Sequence, residues 1–270
     1  MIFSSYKFNF TAASARCIYI TRKLININFH NHNTMSLAGI FPIDKWSFKT
    51  HSVLKDLPPE EYEELCAHMT EQEYMKGDTL FREGSVPQGI FFVRQGKVKK
   101  FKIGRDGKEQ IIYVANAGEL IGYHAILAGE RYPDTASLLE KSSIAFIPKE
   151  DFMSVLEKST VLPRRLLRTL SHEYSVLSNS ISIIATRPVK ERLAIALIVL
   201  REKFKDAARP GEPVVVDISR YDLANIVGTG NENVVRLLKE FKLAGILDSR
   251  GRKIFIHDIR KLVELSGCGL

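Results

Sequence analysis

Between residues 219 and 242, apolar side chains recur at intervals of three and four. Leu223, Ala224 and Val227 fall on one helical face, and after Gly228 a second set follows at Val234, Leu237, Leu238 and Phe241. The spacing predicts two short helices, the second starting near Thr229 or Gly230. Ala224 is small enough for the helices to cross closely, and Gly228 supplies a turn that tolerates positive φ. This is the helix-turn-helix pattern, whose second helix lies in the major groove of DNA. The polar positions left facing outward on that helix are Asn231, Glu232, Asn233, Arg236 and Lys239. Such side chains read base edges and phosphates. An ordinary helical hairpin with a solvated face is the competing reading.

Upstream, Leu166, Leu170, Tyr174, Leu177, Ile181 and Ile184 form one stripe at period 3.6, so residues 150–186 read as a single long helix. The stripe either packs on its own domain or pairs with its twin in a second copy. Arg187-Pro188 interrupts it and predicts a hinge, because proline biases the preceding residue away from the helical region. A helix over Val189–Phe204, a polar loop over Asp206–Pro213 and a strand over Val214–Ile218 follow. Gly245 ends the recognition region. Ile246–Ile256 then read as two strands around a basic turn, a wing whose Arg250, Arg252 and Lys253 either reach phosphates or are merely solvated.

From Tyr74 to Phe146 the period shortens. Five strands, Thr79–Arg82, Ile90–Val93, Val98–Ile103, Gln110–Val114 and Ser143–Ile147, alternate with glycines. They predict an antiparallel barrel or jelly roll, with Arg105-Asp106-Gly107-Lys108 as a hairpin turn. Pro58-Pro59 followed by acids predicts a short helix before it. The fold class is therefore α+β: a β-jelly-roll barrel, a long helix, then a winged helix-turn-helix. Length agrees, since 270 residues suggest two domains. The divisions fall at 35–150 (sensory domain), 151–187 (dimerisation helix and hinge) and 188–265 (DNA-binding domain).

Charge adds little. Of the net +8, four charges (Lys7, Arg16, Arg22 and Lys23) lie in residues 1–34, a stretch with no acid. That stretch is expected to be a disordered leader or a mispredicted start, since more ordinary sequence begins at Met35. Cys17, Cys66 and Cys268 are widely separated, which argues against a disulfide framework or a thiolate metal site and for a reducing cytoplasm. The longest aliphatic run, Leu193–Leu200, is too short for a membrane span.

Three stretches carry a more specific signal: KGDTLFREGS, GIFFVRQGKVKKF and GELIGYHAI. They resemble the sensory barrel of the cyclic-nucleotide-binding superfamily, and with the reader downstream residues 50–260 resemble the CRP/FNR family of bacterial transcription regulators. DGKEQIIYVANAGELIGYHAI is closer to the FNR branch, although its cysteine cluster is missing. The resemblance implies a cytoplasmic, non-enzymatic homodimer that reads a palindromic operator, works with RNA polymerase and responds to an effector in the barrel. It places base readout on Glu232 and Arg236, with Ser219, Arg220, Thr229, Asn231, Asn233 and Lys239 completing the contact set. Asn231 and Val235 depart from the family pattern and leave the half-site sequence open.

The effector pocket implied by the resemblance comprises Gly118, Glu119, Leu120, Gly122, Tyr123, His124, Asp134, Thr135, Leu177 and Ser178. Cyclic nucleotide is disfavoured there. Asp134-Thr135 stand where an Arg-Ser pair would hold phosphate, and a carboxylate repels that anion. Arg131 compensates only if its loop shifts register. An iron–sulfur cluster of the FNR type is disfavoured because it needs four thiolates. His124 or His68 could be argued as haem ligands, but either reads more simply as a hydrogen-bonded structural residue. Two rival classes were weighed. A cupin-like metal enzyme would need clustered ligands, whereas His51, His68, His124, His172 and His257 are dispersed. A barrel regulating a kinase or channel does not account for the winged reader.

Overall fold

The computed structural model describes residues 37–48, 53–54, 57–205 and 214–269. The expected leader and the polar loop over Asp206–Pro213 lie outside the described residues.

After α1 (Pro59–Leu65), eight strands form the glycine-punctuated region: β1 (Thr70–Tyr74), β2 (Thr79–Phe81), β3 (Gly89–Gln95), β4 (Lys97–Ile103), β5 (Glu109–Asn116), β6 (Leu120–Ile121), β7 (Thr135–Leu138) and β8 (Ser142–Pro148). They pair antiparallel as two sheets in the orders β1-β8-β3-β6 and β2-β7-β4-β5. Chain neighbours thus alternate largely between sheets, the jelly-roll arrangement. The Arg105–Lys108 turn closes the β4–β5 hairpin with Gly107 at φ 76°. Between β6 and β7 lies a short helix, α2 (Tyr123–Ala128).

The single long helix expected over 150–186 is two helices, α3 (Lys149–Lys158) and α4 (Leu162–Thr186). Ser159 turns extended, and its Oγ accepts from the backbone N–H of Val161 at 3.1 Å and of Leu162 at 2.9 Å. A serine side chain that caps a new helix ends the old one, and Pro163 sits in the new first turn. At the other end, Arg187 is extended at ψ 143°, as the following proline requires.

Then come α5 (Val189–Lys205), β9 (Val215–Asp217), α6 (Arg220–Val227), α7 (Asn231–Leu243), β10 (Leu247–Arg250), β11 (Lys253–Ile256) and α8 (Ile259–Ser266). The wing sheet has the order β10-β11-β9. One core runs from α5 through α8 and takes in Phe101, Ile111 and Val114 of the sandwich together with Leu37 and Phe41 from the described N-terminal segment. That segment lies along α4: the Ser47 carbonyl is 3.1 Å from His172 Nε2, and Asn179 Nδ2 donates to the Lys45 carbonyl.

Candidate nucleic-acid interface

Local chemistry builds the reader. Ser219 is the N-cap of α6, its Oγ accepting from the Asp222 N–H at 2.9 Å. Leu223, Ala224 and Val227 are buried beneath it. Gly228 takes φ 70°, and its N–H and that of Thr229 both return to the Ala224 carbonyl. The second helix begins at Asn231, just after the expected start, because Gly230 is still extended at ψ 153°.

Val234, Leu237, Leu238 and Phe241 are all 3 % exposed or less. At about 1.5–3 kcal/mol for each fully buried apolar side chain, they suffice to seat α7 whatever its outer face carries. That face presents Asn231, Glu232, Asn233, Arg236 and Lys239, all exposed. Asn233 Nδ2 donates to Thr229 Oγ1 at 3.1 Å, tying the turn to the helix. Among the described residues, Glu232, Arg236 and Lys239 form no side-chain hydrogen bond or ion pair, so the spacing of Glu232 and Arg236 does not produce the intrahelical pair it permits.

The flanking basic residues differ. Arg220 Nη2 donates to the Gly251 carbonyl at 2.9 Å, while its Nη1 is buried without a partner. Burial lowers the pKa of this guanidinium. In the wing, Arg252 pairs with Asp217 at 3.0 Å, whereas Arg250 and Lys253 are exposed. Ser219 and Arg220 therefore carry structural bonds in addition to any contact with DNA.

The reader sits on its own sandwich. Lys99 of β4 pairs with Asp222 of α6 at 3.0 Å and also with Glu109, and Gln110 Nε2 donates to the Asn225 carbonyl at 2.8 Å. Deeper, Lys203 Nζ of α5 donates to Glu119 Oε1 at 2.6 Å and to Tyr113 Oη at 2.9 Å. Burial pushes the Glu119 carboxyl above the usual glutamate range despite Lys203. Sequence reasoning missed this seating, since nothing in the spacing of β4 and β5 announces what docks on them.

The residues expected to form the effector pocket are placed as follows. Gly118 and Gly122 both adopt φ 87° in the turns flanking β6, whose Leu120 is buried. Tyr123 Oη donates to Glu173 Oε1 at 2.5 Å, and His124 Nε2 lies 2.5 Å from Glu173 Oε2. Burial, reinforced by Glu173, raises the Tyr123 pKa. Asp134 is buried and paired with Lys100 at 3.0 Å, and Thr135 Oγ1 accepts from the Glu83 N–H. Arg131 donates to the Gly84 carbonyl. Leu177 lines a different cavity, between the sandwich and the reader, and Ser178 is exposed on α4.

Inside the sandwich, Phe81 stacks on Tyr132 at 3.9 Å, and Phe91 packs against Phe81 and Phe146. A Cβ on Gly122 would lie within 3.6 Å of Tyr132, Phe81 and Phe91. This interior is filled by aromatic rings, and its cation Lys100 is already spent on Asp134, so the residues do not fit a cyclic nucleotide phosphate. His68 is likewise held by Asp151. An FNR-type cluster needs four thiolates and the sequence has three cysteines. Among the described residues no group of three or more His, Cys, Asp or Glu is placed to hold a metal ion. No described helix is long and apolar enough to cross a membrane.

Two family models match, a cyclic nucleotide-binding domain over residues 71–159 and a Crp-like helix-turn-helix domain over 191–265. The chain is 31% identical over 192 residues to the fumarate and nitrate reduction regulatory protein of Vibrio cholerae, covering 71% of this chain and 76% of that one. It is 32% identical over 195 residues to the transcriptional activator protein FnrA of Stutzerimonas stutzeri, covering 71% and 78%. Its fold is similar to that of FixK2 from Bradyrhizobium japonicum, with a TM-score of 0.66 at 22% identity over 73% of this chain and 96% of that one.

Proposed function

The chain belongs to the CRP/FNR family of DNA-binding transcription regulators, and from that premise we propose that it acts as a homodimer on a palindromic operator. Residues 35–150 serve as the sensory domain, 151–187 as the dimerising helix and hinge, and 188–265 as the reader. Control comes from a small-molecule effector, and the regulator works in the cytoplasm with RNA polymerase.

The observation that carries the reading is the outer face of α7, where Glu232, Arg236 and Lys239 are exposed and uncommitted. Arg236 suits bidentate contact with guanine O6 and N7, and Glu232, one turn away, accepts from cytosine N4. Asn231 and Asn233 suit adenine or phosphate, while Thr229, Arg250, Arg252 and Lys253 flank the groove for backbone contacts. Dimerisation is supported by α4, on which Leu167, Tyr174, Ile181 and Ile184 are 45–76 % exposed. An apolar stripe so exposed on one helix fits pairing with the same stripe on a second copy. Two readers would then engage half-sites about 34–36 Å apart.

Selection of bound sequences from a random duplex pool tests the reading. It should return an inverted repeat with half-sites one helical turn apart, and sedimentation at micromolar concentration should give a dimer. A monomer, or no preference for inverted repeats at moderate salt, would overturn it.

A further inference from the structure

A cavity of about 200 Å³ opens between the sandwich, α4, α5 and α6. Its walls come from every part of the molecule that has to move if the reader is to be repositioned. Ile111 and Val114 belong to β5, Ile181 and Ile184 to α4, Val199 to α5 and Val227 to the end of α6. The lining is overwhelmingly apolar, and its few polar groups are mainly donors. Lys203 is compensated, since Glu119 holds its charge. Arg192 is not: its Nη1 reaches only the Gly228 carbonyl, at 3.5 Å, and its Nε is buried without a partner. Among the described residues no carboxylate pairs with it. The indole N–H of Trp46, on the same cleft, is also buried without a partner.

An apolar cleft edged by an uncompensated guanidinium and an orphaned indole N–H lacks one thing, an acceptor, preferably anionic, on an apolar body. We infer that this cleft is a binding site for an apolar monocarboxylate, with the chain of the acid among the aliphatic residues and its carboxylate on Arg192. The site is separate from the aromatic interior of the sandwich. Because Arg192 also touches the Gly228 carbonyl, an occupant contacts the turn of the reader directly. Its role as effector rests on the proposed regulator function; the binding itself does not.

Trp46 is the only tryptophan in the sequence, so its emission reports on the cleft. The full chain is titrated with octanoate and, in parallel, with octan-1-ol, which has the same chain length and no charge. The expected result is a saturable change in Trp46 emission with octanoate. Arg192→Gln should weaken octanoate by about tenfold or more, the value of a charged hydrogen bond, and leave octan-1-ol unchanged. Arg192→Lys should retain most of the octanoate affinity, and Ala196→Phe, which fills the cleft, should abolish both responses. If Ala196→Phe fails to fold, the Arg192 pair still decides. No saturable change with octanoate, or equal octanoate affinity in wild type and Arg192→Gln, would overturn the site.

Octanoate should also shift affinity for the selected duplex by about fivefold or more. Trp46 binding with unchanged DNA affinity would overturn the regulatory role. A Trp46 response in a chain that prefers no DNA sequence would uphold the site and overturn the operator reading instead.

Discussion

The outer face of α7 and the interior of the sandwich contain the same kinds of side chain in opposite conditions. On α7, Glu232, Arg236 and Lys239 stand exposed and bonded to nothing else in the chain. In the sandwich, Lys100 holds Asp134, while Glu173 engages both Tyr123 and His124. Charged groups consumed by one another serve the fold, and charged groups left over serve a partner. By this criterion the family's reader is intact in this chain, whereas its nucleotide pocket has been converted into core.

The comparison can be broken in four ways. The largest effect belongs to the consumed charges. Lys203→Met strands a buried carboxylate on Glu119 and should destabilise the chain by about 3–5 kcal/mol in urea unfolding. Adding Glu119→Leu should recover much of that loss, and failure to recover would mean the pair is not a closed unit. Next, Arg236→Ala should cost about 1–3 kcal/mol of specific binding and leave non-specific binding nearly intact. Competition between selected and random duplex at fixed salt measures it, and equal losses on both would refute base readout.

A smaller effect separates capping from DNA contact at the edge of the reader. Ser219→Ala should lower thermal stability by about 1 kcal/mol, whereas a residue acting only on phosphate would leave the free protein unchanged. The smallest appears only in alkali. Burial on Phe81 pushes the Tyr132 phenol up to about 12. The folded state then keeps this proton where the unfolded chain loses it, so the contribution is whole below pH 10 and is lost as pH rises through about 12. Unfolding midpoints across that window should fall less in Tyr132→Phe than in the wild type.

The reader was legible because its signals are local. The apolar positions of α6 and α7 have helical spacing and Gly228 marks the turn, so only the start was misplaced, by the extended Gly230. Strand β1 escaped notice because Thr70–Tyr74 is polar and largely exposed, without alternation. β7 escaped for the opposite reason, since Thr135–Leu138 is buried at every position. The break between α3 and α4 was hidden because Ser159 acts through its side chain rather than through the apolar stripe. Of the pocket, the sequence revealed the misplaced carboxylate of Asp134 but not Lys100 beside it. The cleft around Arg192 was invisible, being assembled from segments that meet only in three dimensions.

Residues 37–48 emerge from the ribosome long before the helices they lie on. The bonds from Ser47 to His172 and from Lys45 to Asn179 span 125 and 134 residues. Closure over such distances is slow. During synthesis this segment must therefore wait with Leu37, Phe41 and Trp46 unburied until α4 and α5 have been made. A chain arrested before that point should expose these residues to chaperones, and seating of the segment should be among the last events of folding.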